Sequence, residues 1–363
     1  RAEAAMNQLK TILPLILLIS LLGVGNTGAE DPWVYLGEPT QQLFTEAPET
    51  IYQSKSVSVD NWSRSAVVSL YNDQYLPAFG VPMNWTGSVA GCNAGATSQA
   101  YIDATFDVIN FFREMVGLPD ASNAAASNGI CQEAALIMSA NGALNHTPPS
   151  HWTCYTSGGY TAAYRSNLAL GTAGPGAMAL YMYDPGSTNY FVGHRRWVLC
   201  PYKGSFGTGS VGETTAAANS LYWDTGTVSR PATPVVVSWP PEGYVPYQLI
   251  YPRWSFSLNT SSSVSFASAT VTMSEGGSPI SLSVVSRTNN GYCDNTIVWE
   301  PSGITFTPGG PDRTFTVTVS NISGPVTSMT YDVVLMDPAV DTDLIFDDGF
   351  ESGGFGAWWD VVP

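Results

Sequence analysis

Positive charge is scarce in this chain: 13 Lys and Arg stand against 29 Asp and Glu, a formal net charge of -16. Such a surface repels phosphates and anionic headgroups, which excludes nucleic acid as a partner. Charged residues of both signs make up only 12% of the chain against 44% hydrophobic, a balance too apolar for disorder. Histidine occurs three times, as His146, His151 and His194, so any imidazole chemistry must use these. Pro148 and Pro149 separate the first two, which cannot occupy successive helical turns, and this excludes an H-E-x-x-H zinc motif. The cysteines form no C-x-x-C pair, which removes zinc ribbons and thioredoxin-like redox sites. A G-x-S-x-G nucleophile elbow is absent too. Gly207-x-Gly209-x-x-Gly212 has the dinucleotide-binding spacing but follows no βαβ unit, so it is set aside. The carboxylates are too many and too scattered to single out a glycosidase pair.

What is present begins with a leader. From Met6 a single Lys10 precedes an apolar run from Ile12 to Leu22, and small residues end at Ala29; residues 6–29 read as a secretory signal peptide. The run is shorter than the ~20 residues of a membrane helix, and no second one follows, so the expectation is a secreted protein that is not integral to a membrane. Export permits disulfides among Cys92, Cys131, Cys154, Cys200 and Cys293, and the odd count leaves at least one thiol unpaired within a monomer.

The length suits two domains. Residues 30–94 show little sustained period and read as an irregular N-terminal region. From Ser98, apolar residues at Ile102, Phe106, Ile109 and Val116 recur at helical steps until Gly117. A second helix is expected from about Asn128 to Ala140, stopped by Asn141-Gly142, with shorter ones around Tyr160–Asn167 and Ala177–Asp184. Arg196 to Leu199 reads as a strand ended by Pro201. After Pro231 come seven β-branched or aromatic runs: Val235–Trp239, Arg253–Leu258, Ser265–Met273, Ile280–Ser286, Thr296–Trp299, Thr314–Ser320 and Thr330–Leu335. Gly, Pro, Asn and Ser clusters separate them, as expected of an antiparallel immunoglobulin-like β-sandwich over 245–340, with Pro240–Gly243 as the linker and 341–363 as a flexible tail.

Several separated stretches also resemble a known family. Asn110-x-x-Arg113 with Gly117-Leu118-Pro119 resembles the opening helix of bacterial CAP-superfamily domains, relatives of cysteine-rich secretory, antigen 5 and pathogenesis-related proteins. Ala134-Ala135, Met138 and Leu144-Asn145-His146 resemble its second helix and terminal histidine. Gly193-His194-Arg195, Leu199 and Pro201, then Gly207-x-Gly209, resemble the segment G-H-R-x-x-x-L-x-P with its following strand. The tail pattern at Phe346–Gly353 looks like short tails of exported Gram-negative proteins. The fold so implied is α+β: a CAP-like α-β-α sandwich over 95–232, followed by the immunoglobulin-like one.

The resemblance implies a central cleft lined by two histidines and two acids. His146 and His194 take the histidine positions and Asp184 one acidic position, whereas Ser166, in Arg165-Ser166-Asn167-Leu168, stands where the family has glutamate. The ligand cleft would then comprise His146, His194, Asp184, Ser166 and Asn167, and a divalent metal such as zinc, if held, would sit on His146 and His194. The implied function is binding of a small molecule, lipid or surface polymer, with the sandwich as an accessory module and catalysis not expected. Two alternatives stand beside it: a metal-assisted, peptidase-like hydrolase, and a structural or adhesive extracellular protein with a vestigial cleft. Arg195 and Arg196 are expected to pair with local carboxylates, and Trp152 and Trp197 to be core aromatics.

Overall fold

The structure, a computed structural model, describes residues 35–36, 38, 59–212, 216–258, 264–288 and 291–340. The expected leader and C-terminal tail lie outside the described residues. The chain is α+β, with two sulfur bridges, Cys92–Cys154 and Cys200–Cys293, and a buried free thiol at Cys131. No helix among the described residues is long and apolar enough to cross a membrane.

The region read as irregular contains a helix. Ser63 caps it by accepting from the Ala66 amide, and α1 (Arg64–Leu70) continues through a wider turn over Tyr71–Tyr75 into α2 (Leu76–Ala78). Val67, Tyr71, Tyr75 and Ala78 form its buried stripe at three- and four-residue steps, a period hidden among the neighbouring polar and proline residues. Tyr75 packs against Phe111 and Phe112 at 4.8 and 5.7 Å. Those rings belong to α3 (Gln99–Met115), which Ser98 caps at Tyr101 and which Gly117 ends in a left-handed turn.

The first sheet has the order β1-β3-β5-β4-β2, with β1 Tyr35–Leu36, β2 Ser122–Asn123, β3 Ser166–Leu170, β4 Ser205–Val211 and β5 Ala218–Tyr222. Its pairings are antiparallel except for the short β2–β4 contact. The helix α4 (Ala125–Asn141), closed by left-handed Gly142, lies directly on β4. The set-aside glycine pair explains how: a Cβ at Gly209 would overlap the Cys131 backbone, and one at Gly207 would press on Ser127 and the Cys131 sulfur. The glycines serve close helix–strand approach. Also in this half are α5 (Ser157–Tyr164), α6 (Gly174–Tyr183) and α7 (Gly193–Val198).

Two differences from the expected elements concern the site. Asn167, placed at the end of a helix by its sequence, is in β3, and 196–199, read as a strand, belongs to α7 and its C-terminal turn. A Trp-Val-Leu run suits either element; the carboxylate of Asp184 decides for the helix by accepting the His194 and Arg195 amides.

Each of the seven expected β runs overlaps a strand, although only 270–273 of the Ser265–Met273 run lies in one and Ile280–Ser286 is broken at Ser281. One sheet is ordered β11-β12-β8-β6, from β6 (Val236–Trp239), β8 (Trp254–Leu258), β11 (Leu282–Thr288) and β12 (Asn295–Pro301). The other, β10-β9-β13-β14-β7, adds β7 (Gly243–Pro246), β9 (Thr270–Glu275), β10 (Ser278–Ile280), β13 (Arg313–Ser320) and β14 (Ser328–Met336). The sheets face each other through Trp254 with Phe315 and Phe256 with Tyr331, each pair 6.3 Å apart. Pro240 to Gly243, expected as a linker, leads straight into β7, which pairs in parallel with β14. One hydrophobic cluster runs through both halves, joined by Phe112 against Trp239 at 5.0 Å, and the Cys200–Cys293 bridge crosses the same boundary.

Candidate functional site

The turn from α6 to α7 builds the best-ordered polar cluster. Asp184 ends α6 in a left-handed conformation, φ 52° and ψ 55°, which presents its carboxylate to the start of α7. Its Oδ1 accepts from His194 Nδ1 at 2.8 Å, and its Oδ2 accepts the His194 and Arg195 amides at 2.9 and 3.2 Å. Both side chains are fully buried. A carboxylate on Nδ1 fixes the tautomer whose Nε2 carries the lone pair. That Nε2 has no hydrogen-bond partner.

Around the ring, Tyr181 stacks at 5.7 Å and 13°, its hydroxyl 2.9 Å from both the Asn167 carbonyl and Asn219 Oδ1. Asn167 Nδ2 donates to the His194 carbonyl at 3.0 Å, while Asn167 Oδ1, also buried, has no partner. The structure therefore joins Asp184, His194 and Asn167 in one network.

Ser166 belongs to a different one. Its hydroxyl donates to the Ala162 carbonyl at 2.7 Å and accepts from Ser220 at 2.8 Å. Neither partner is an imidazole, so the hydroxyl is spent on a carbonyl and a second hydroxyl rather than on a base.

His146, five positions past the end of α4, has Nδ1 2.6 Å from the Ala163 carbonyl and Nε2 against the main-chain carbonyl of Glu38. Burial pushes its pKa down, aided by the nearby His194 imidazole and opposed by the two carbonyls. Carbonyl oxygens lie against both ring nitrogens, so a cation would have to displace one of them to reach the ring. The two imidazoles supply one open nitrogen between them, and among the described residues no three His, Cys, Asp or Glu side chains are grouped to hold a metal. Among the described residues, the groups beside the two imidazoles do not make up a divalent-metal ligand set.

Sequence reasoning overlooked the buried bases. Arg113 donates to the carbonyls of Pro119, Val198, Cys200 and Lys203. Arg195 serves the carbonyls of Met182, Tyr183 and Arg253 plus the Ser255 hydroxyl, and Arg196 serves the Asp294 carbonyl. Arg195 and Arg196, expected beside carboxylates, lie near Asp184 and Asp294 and also donate to main-chain oxygens, because irregular segments with no ladder of their own need donors. Burial lowers Arg113 and Arg195 to about 10, Arg196 to about 9 and Lys203 to about 8. Trp197 is a core aromatic, stacked on Trp223 at 4.1 Å, whereas Trp152 only flanks a core cluster. Apart from the spacing Asn110-x-x-Arg113, nothing local in the sequence marks these bases for burial.

No protein-family model, curated protein or solved structure matches this chain.

Proposed function

We propose that this chain is an exported, CAP-like binding protein whose His194–Asn167 network receives a small polar ligand, and that it is not a hydrolase. The observation that carries the reading is the pair of enclosed, partnerless acceptors, His194 Nε2 and Asn167 Oδ1, on residues linked by a hydrogen bond. An orphaned buried acceptor costs roughly 1–3 kcal/mol, so a donor is favoured at each, as an amide, amine or diol would supply. The two sulfur bridges suit an oxidising compartment, which supports export. Against hydrolysis stand the occupied hydroxyl of Ser166 and the absence of a metal-ligand set among the described residues. The full enclosure of His194 favours a second reading, a structural extracellular protein whose cleft is closed.

Titrating the 15N-histidine-labelled chain with acetamide, ethanolamine and ethylene glycol separates the two. The binding reading expects the His194 Nε2 resonance to move with at least one probe, and His194→Gln to abolish that response. Resonances indifferent to all three probes would overturn it in favour of the structural reading. Stoichiometric zinc binding lost in His146→Ala/His194→Ala would restore the metal reading instead.

A further inference from the structure

A second site lies where the helical half meets the sandwich. The turn 60–62, the C-terminal end of α3, and β6 and β14 enclose an open groove of about 790 Å³. Trp62 and Val235 line it although they are 53% and 52% exposed, and Met329 adds a flexible apolar contact. Asp60, Glu114 and Glu242 give it three carboxylates, and none of its described lining residues is Lys or Arg.

Two of its lining residues carry buried polar atoms without a well-formed hydrogen bond. Tyr331 is 3% exposed and lines the groove, its hydroxyl directed towards Ser238 and Glu242 without closing a well-formed hydrogen bond. Asn61 spends its amide nitrogen on the carbonyls of Met115 and Glu242, leaving Oδ1 unsatisfied. Burial raises the Glu114 carboxyl, with Gln74 only partly offsetting it, and Asp120 adds to the rise. β6 is the last strand of its sheet, so a segment laid along the groove meets a strand edge.

We propose that this groove binds an extended basic peptide segment, with a lysine or arginine facing Asp60, Glu114 and Glu242 and apolar side chains on Trp62, Val235 and Met329. Charge complementarity selects the occupant: an acidic groove on an acidic protein favours a cation, and the exposed indole adds a face for it. The strand edge of β6 favours a peptide over a compact amine. The site is independent of the histidine network.

Calorimetry on the full chain with acetyl-Val-Lys-Val-Arg-Val-amide and the charge-reversed acetyl-Val-Glu-Val-Asp-Val-amide tests it. The expected result is binding of the basic peptide alone, weakened about tenfold or more in roughly 0.5 M salt. Trp62→Ala and Glu114→Gln/Glu242→Gln should each weaken it about tenfold with the melting temperature retained, while His194→Gln leaves it unchanged. Should the double variant fail to fold, Trp62→Ala and the salt dependence still decide. Equal or absent binding of the two peptides, or wild-type binding by a folded Trp62→Ala, would overturn the proposal. So would sedimentation showing that the chain dimerises through this face, which would make a second copy the occupant.

Discussion

In the helical half, charged side chains are used as internal braces: Arg113, Arg195 and Lys203 are at most 1% exposed, and Arg113 alone ties four carbonyls together. In the sandwich, away from the junction, charge stays near the surface, as in Arg313 with Glu275, whose side chains are 27% and 36% exposed. The difference follows from who satisfies the backbone. Paired strands meet their own N–H and C=O needs, whereas the turns 117–121 and 198–204 have no ladder and borrow guanidinium donors. A brace of that kind is costly to lose, because every carbonyl it served is left dry.

Experiments can sharpen or break this contrast. The largest effect is expected from Cys200→Ser/Cys293→Ser, which opens a bridge across a separation of 93 residues between the halves. Loop entropy puts the loss at about 4–5 kcal/mol, measurable by urea unfolding. Arg113→Ala should follow at about 3–4 kcal/mol in the same assay, for the stranded carbonyls and the cavity together. Gly209→Ala should cost about 2–3 kcal/mol, since α4 must lift from β4. Arg313→Ala should cost no more than about 1 kcal/mol and lose that little in high salt. If Arg313→Ala matched Arg113→Ala, the contrast between braces and surface pairs would be false.

The pH dependence isolates one residue. The folded-state pKa of His146 lies below its ordinary 6.5, so the unfolded chain binds the proton more readily. Its contribution is whole above pH 6.5 and is lost as pH falls from there through the lowered value. Melting temperatures measured down that range should fall less steeply for His146→Gln than for the parent chain.

The same contrast explains what was legible in the sequence. Alternation at Phe315, Val317 and Val319 announces a strand with one buried face, so every sandwich run could be placed without coordinates. The short strands β7 and β10, too brief for a period, could not. In the helical half α3 and α4 were legible from caps and stripes, but α7 was not: its helical state depends on a carboxylate ten positions earlier, information no local window contains. Asp184, His194 and Asn167 were named from a resemblance. Their convergence, and the tying of Ser166 to Ala162 and Ser220, came only from tertiary structure.

The Cys200–Cys293 bond starts two positions beyond α7 and ends beside β12. A pull on the two ends of the chain would therefore travel from the sandwich into the histidine-bearing helix through sulfur, bypassing the strands between. The contour length of that 93-residue interval is withheld from any extension while the bond is intact. Reduction of that bond adds the interval to the length the chain can reach when pulled.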